Sequence, residues 1–262
     1  MEIEKKSIAA FYDAHSERML RDFVNGNARV SAAIDLVTTH LHGRNGKILD
    51  VGCGIGSASY LFAQKLTGFE VLGVDISPKS IEIGRKLFSG DRVSLAVSDM
   101  ECSPEDGPFD AIVLVDVYEH IPREKWPDFN RVLASSLTPD GMLILTTPSS
   151  LHQSYLKECK PEGLQIVDET VEVSDVMSLA RDLDATLVHY SMKSIWQTND
   201  YLHVVIERCP QYSPKVKSHQ RKLTVNQRLR RKMRHLSGMS QEPVGVKERR
   251  CYVKERLGVD VK

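Results

Sequence analysis

The chain has 262 residues with 35 Lys or Arg against 35 Asp or Glu, 41% hydrophobic and 27% charged content, the composition of an ordinary soluble globular protein. That length suits one α/β domain with appendages and a substantial core. No apolar run approaches the roughly 20 residues of a membrane span, and the charged stretch Met1 to Lys6 lacks the apolar centre of a signal peptide. Cys53, Cys102, Cys159, Cys209 and Cys251 show no C-x-x-C spacing, which argues against a disulfide framework or a zinc site and favours a cytoplasmic location.

Residues 3–24 and 28–42 are expected to be helical, the second with Val30, Ala33, Ile34, Val37 and Leu41 on one apolar face. Lys47 to Val51 then reads as a buried strand and Ser57 to Leu66 as a helix, so Gly52, Gly54 and Gly56 fall in the strand-to-helix turn. Glycines there let backbone approach a ligand, and the helix N-terminal N–H groups point at it. A second strand, Val71 to Asp75, ends in a carboxylate 19 residues after Gly56, placed to accept hydrogen bonds from ribose hydroxyls. Together these parts indicate a nucleotide-like cofactor. A dinucleotide fingerprint would require glycine at 57, where the chain has Ser57, so the spacing is G-x-G-x-G.

Further strands are expected at Val93 to Val97, at Phe109 to Val115 and after the turn Leu137 to Gly141. A helix follows at Val171 to Asp182, then strands Ala185 to Ser191 and Leu202 to Glu207, joined by Met192 to Tyr201. Strands and helices alternating in this way make a largely parallel sheet with helices on both faces.

The block Ile48-Leu49-Asp50-Val51-Gly52-Cys53-Gly54-Ile55-Gly56, the strand ending at Asp75, Ser98-Asp99-Met100, Phe109 to Val115 and Leu137 to Leu145 resemble, in order, the motifs of the class I S-adenosylmethionine-dependent methyltransferases. The resemblance covers roughly residues 45 to 208. It implies a Rossmann-like, doubly wound α/β fold with a seven-stranded sheet, mostly parallel with an antiparallel last strand, and N-terminal cap helices. It divides the chain into cap helices (1–44), an S-adenosylmethionine-binding domain (45–212) and a C-terminal extension (213–262). It assigns cofactor binding to Asp50, Gly52, Gly54, Gly56, Asp75, Ile76, Asp99, Met100 and Val115. Phe11 to Met19 resembles the helix that small-molecule and glycan methyltransferases fold over the donor, with Tyr12 against the methionine part and Arg29 facing its carboxylate.

Chemistry is expected at the carboxyl end of the fourth strand, Asp116-Val117-Tyr118-Glu119-His120. A hydroxyl acceptor must lose its proton, and an imidazole titrates near neutrality, which nominates His120 with Glu119 as catalytic residues. The alternative is that both bond to backbone and shape the loop. Asp116, Glu119 and His120 also resemble the E-x-x-E-H ligands of ubiquinone-biosynthesis and small-RNA 2′-O-methyltransferases, with Asp in place of the first Glu. That pattern would suit Mg²⁺ or Mn²⁺, with His152 as a further candidate ligand. The N-P-P-Y or D-P-P-Y signature of methyltransferases acting on exocyclic amines and amides is missing after the fourth strand, which disfavours nucleobase and glutamine N-methylation. The polar and aromatic segment Thr147 to Leu156 suits a hydroxyl-rich acceptor. With Ser194 to Gln197 and Asp200 to His203, it faintly resembles methyltransferases of bacterial surface-glycan synthesis.

Residues 213–262 hold 15 Lys or Arg against 4 Asp or Glu. Within them, Val225, Leu229, Met233 and Leu236 mark one face of a basic amphipathic helix. Such a helix docks on the chain's own acidic body, on an anionic membrane surface or acidic partner, or, less readily without aromatic platforms, on nucleic acid. Three functions follow: an O-methyltransferase acting on a small molecule or glycan, an RNA 2′-O-methyltransferase with a divalent metal, or a catalytically silent cofactor-binding partner protein.

Overall fold

The computed structural model describes residues 15–211 and 245–261. Its centre is a seven-stranded sheet of β1 (Gly46–Val51), β2 (Phe69–Asp75), β3 (Val93–Val97), β4 (Phe109–Val115), β5 (Leu137–Pro148), β6 (Thr186–Lys193) and β7 (Tyr201–Glu207), in the order β3-β2-β1-β4-β5-β7-β6. The first five strands are parallel, and β7 runs antiparallel to both β5 and β6. The expected hairpin is therefore present, and the strand that reverses is the last in sequence but the last but one in space.

Helices cover both faces, so the central strands read as continuous apolar runs. On one face, Ile34, Val37 and Leu41 of α2 (Ala28–Leu41), Phe62 of α3 (Ser57–Lys65) and Ile81 of α4 (Pro78–Leu87) pack on Ile48, Val71 and Val113. On the other, Phe129 and Leu133 of α5 (Trp126–Ser136) and Val176 and Leu179 of α7 (Val173–Asp182) pack on Leu49, Ile112 and Leu143. Each such buried side chain contributes about 1.5–3 kcal/mol. The expected α2 face thus belongs to the main core, ending at Leu41 rather than at residue 42.

A third, smaller cluster joins the first described helix, α1 (residues 15–25), to the far side of α3 and α4 and to α8 (Val246–Leu257). The extension therefore docks on the chain itself through α8, whereas the amphipathic segment 223–236 lies outside the described residues. Two features differ from expectation. The segment after β5, assigned no helix from the sequence pattern, forms α6 (Ser150–Cys159), and the Ser149 side chain caps it by accepting a hydrogen bond from the His152 N–H. Strand β6 extends through Met192 and Lys193, which pair with Leu202 and Tyr201. Among the described residues, no helix is long and apolar enough to cross a membrane.

Strand order reverses its direction of growth between β1 and β4, and the crevice at their carboxyl ends is the place where doubly wound sheets bind ligands. Local capping aims side chains at it. Asn27 accepts from the N–H groups of Arg29 and Val30, starting α2 so that Arg29 stands in its first turn.

Candidate active site at the carboxyl ends of the strands

The glycine turn is built as a cradle. Gly52, Gly54 and Gly56 have φ of 69°, 57° and 79°, a region where a side chain is strained. A Cβ on Gly52 would lie 2.4 Å from Val117 Cγ2, and one on Gly54 would lie 2.6 Å from Met19 Sδ. Met19 of α1 and Val117 thus pack directly against the turn.

Beneath it, Asp50 is buried and accepts from Ser59 Oγ at 2.5 Å. Burial, with Asp75 nearby, pushes its carboxyl up to about 7. Asp75 accepts from Gly54 N and from Ser77 N, both at 2.8 Å, bracing the turn against the start of α4. Ile76 is half-buried beside it. Asp99 is exposed and Met100 is buried in the core with φ 55°. Val115 is half-buried at the end of β4. Tyr12 lies outside the described residues.

A second, more polar group lies where β4, β5 and β7 end or begin. Arg29 forms an ion pair with Asp116 and donates to Tyr201 Oη at 3.4 Å. Burial pushes the Asp116 carboxyl up to about 6, against the pull of Arg29. Glu119 is fully buried, and burial together with Asp116 raises its carboxyl well above the usual range. Gln153 Oε1 and His203 Nε2 are buried without a hydrogen-bond partner, while the hydroxyls of Thr146 and Thr147 lie beside Asp116 and Glu119 and oppose the rise of their carboxyls. Buried polar atoms of this kind are satisfied by water or by a polar ligand.

His120 stands at the edge of this group in a single 3-10 turn, Tyr118–His120. Its Nδ1 lies 2.8 Å from the Val167 carbonyl oxygen, and the Glu169 N–H donates to the Glu119 carbonyl at 2.8 Å, so the loop before α7 fixes the turn. A carbonyl accepts only, so Nδ1 carries the proton. Burial lowers the imidazole pKa, outweighing the Val167 bond, and leaves the ring neutral with Nε2 as its free lone pair. Nε2 is 4.0 Å from Glu119 Oε1.

The expected metal triad is not assembled. Asp116 turns to Arg29 and His120 to Val167, while His152 lies on α6 beside Tyr155. Among the described residues, no three His, Cys, Asp or Glu side chains are gathered for a metal ion. Arg29, read as facing a cofactor carboxylate, is held by a carboxylate of the chain itself.

The sequence pattern did not single out Ser59 or Thr146, and placed Gln153 and His203 only within the segments expected near the acceptor. One signal was available: Tyr201 and His203 interrupt an otherwise apolar strand at period two. Because β7 runs antiparallel, its start meets the carboxyl end of β5, pairing Thr146 with His203.

A family profile described as a methyltransferase domain matches residues 48–141. An uncharacterized protein of Rickettsia prowazekii (strain Madrid E) is 34% identical over 119 residues, covering 43% of this chain and 48% of that protein. The ubiquinone biosynthesis O-methyltransferase of Xanthomonas euvesicatoria pv. vesicatoria (strain 85-10) is 32% identical over 118 residues, covering 44% and 48%. The match thus spans about half the length of these curated relatives. Among solved structures, the magnesium protoporphyrin IX methyltransferase of Synechocystis PCC 6803 with bound SAH has the same fold, with a TM-score of 0.56 at 23% identity over 69% of this chain and 82% of that one. The profile lies over the glycine turn, Asp75 and the β4 strand, so residues 48–141 carry the methyltransferase domain.

Proposed function

We propose that the chain transfers the methyl group of S-adenosylmethionine to a hydroxyl of a small molecule or glycan. The single observation that carries the hydroxyl assignment is the His120 geometry, with Nδ1 committed to the Val167 carbonyl and Nε2 left as a lone pair. The donor fits the residues present: three positive-φ glycines shape the strand-to-helix turn, and Asp75 braces it by accepting from Gly54 N. Bound there, S-adenosylmethionine supplies an electrophilic methyl carbon on a sulfonium.

The chain's own residues do the rest. The glycine turn holds the donor, and Gln153 Oε1 with the hydroxyls of Thr146 and Thr147 offers bonds that orient a hydroxyl-bearing acceptor. His120 Nε2 takes the acceptor's proton as its oxygen becomes the nucleophile. Burial and Asp116 raise the Glu119 carboxyl and so favour its protonated form, which leaves the imidazole as the base. The ubiquinone biosynthesis O-methyltransferase similar to this chain supports oxygen as the acceptor atom. His120→Ala should abolish transfer from methyl-labelled donor while leaving calorimetric binding of S-adenosylhomocysteine unchanged. Unchanged transfer would overturn the assignment.

A further inference from the structure

The C-terminal helix α8 lies outside the matched methyltransferase domain, yet it is joined to the helix that packs against the glycine turn. Val246 and Val253 of α8 are buried against Leu20, Phe23 and Val24 of α1 and Leu87 and Phe88 at the end of α4. Arg249 Nε donates to the Val24 carbonyl at 3.2 Å, and Arg250 Nη2 donates to Asn25 Oδ1 at 3.3 Å. Val24 is in the last turn of α1, where carbonyls lack helical partners and the helix dipole attracts a cation. The Tyr252 hydroxyl donates to the Leu87 carbonyl, fixing α8 to α4 as well. At the other end of α1, Ser16 Oγ meets Ser80 Oγ of α4 at 3.3 Å. Between these anchors, Met19 reaches the glycine turn at Gly54.

We infer that α8 is a strut for the donor site: it holds α1 in the position where Met19 packs against the glycine turn, with Arg249 and Val253 as its positioning residues. Leu20, Phe23 and Val24 of α1 share one cluster with Val246 and Val253, so α8 supplies part of the apolar surface that retains α1. A chain in which α1 is seated only part of the time binds its donor more weakly by that fraction. The C-terminal extension thereby sets donor affinity without touching the donor. This rests on the methyl-donor reading of the glycine turn.

The test uses the full chain. Binding of S-adenosylhomocysteine is titrated by calorimetry, and backbone hydrogen exchange is followed in residues 15–25 and in the central strands. Arg249→Ala and Val253→Asp should each weaken binding roughly tenfold and speed exchange in residues 15–25, with the strands unchanged. Arg249→Lys, which keeps a cation and a donor, should restore most of the affinity. Lys254→Ala, which alters only the exposed pair with Asp260, should change nothing. Equal binding and equal exchange in both variants would overturn the strut. If the wild-type chain failed to bind S-adenosylhomocysteine, the donor reading would fall, and exchange in residues 15–25 would still decide whether α8 holds α1.

Discussion

In the proposed reaction His120 is the base, and its environment makes a pH dependence. Burial lowers its pKa below the ordinary 6.5, so the acidic limb of kcat/KM for methyl transfer should fall below pH 6.5. A limb above pH 7 would contradict a neutral, buried imidazole. Glu119 provides a second test. Its folded pKa is raised by burial, and next by Asp116, so it favours the folded chain while protonated, and that contribution is lost as pH rises through the folded value. Glu119→Gln, which removes the buried charge, should therefore raise stability by ~1–3 kcal/mol at pH 8 and show no gain near pH 4.5, as read by thermal melts. Residue type and place at the end of β4 made His120 legible in the sequence. The Arg29 to Asp116 pair was not legible, because nothing in a linear pattern says that a first-turn arginine of α2 finds a carboxylate far along the chain.

At the level of elements, the turns carry the function, and glycines show how tightly. Gly52→Ala places a Cβ 2.4 Å from the stiff, branched Val117 at φ 69°, costing ~1–2 kcal/mol from the left-handed backbone alone. Donor-analogue affinity should fall at least tenfold with it. Gly84 reverses the usual rule. Alanine for glycine inside a helix ordinarily stabilises by roughly 0.5–1 kcal/mol, but a Cβ at Gly84 of α4 would lie 2.4 Å from the Ile55 carbonyl oxygen. Gly84→Ala should thus lower both the melting temperature and donor affinity by pushing α4 off the glycine turn; a stabilised variant would refute that close approach. The turn at Gly52 to Gly56 could be read from spacing because its need for positive φ is local. The role of Gly84 could not, since it depends on a helix meeting a loop across space. Helix α6 was missed for a related reason: its mixture of polar and aromatic residues lacks a clean apolar stripe, and Gln153 is its one buried side chain.

Across the whole molecule, the alternation of apolar runs and the glycine turn made the doubly wound class readable, and β1 to β4 came out close to their expected limits. The seating of α8 against α1 was not readable, since a short basic helix has no marked apolar face until Val246 and Val253 meet a partner. The polar group around Glu119 likewise arises only when β7 inserts between β5 and β6 and brings Tyr201 and His203 beside Thr146 and Thr147. Donor binding should stabilise the entire domain, because the turn joins both large cores. At 100 times its dissociation constant, S-adenosylhomocysteine should add about 2.7 kcal/mol, visible as a raised melting temperature. The most direct measurement of the central claim is to incubate the chain with methyl-labelled S-adenosylmethionine and separate metabolite and glycan fractions, then locate the label by carbon NMR. The expected result is label in an oxygen-bound methyl group, present with the wild-type chain and lost with His120→Ala. No labelled fraction, label on nitrogen or carbon, or undiminished label with His120→Ala would contradict it.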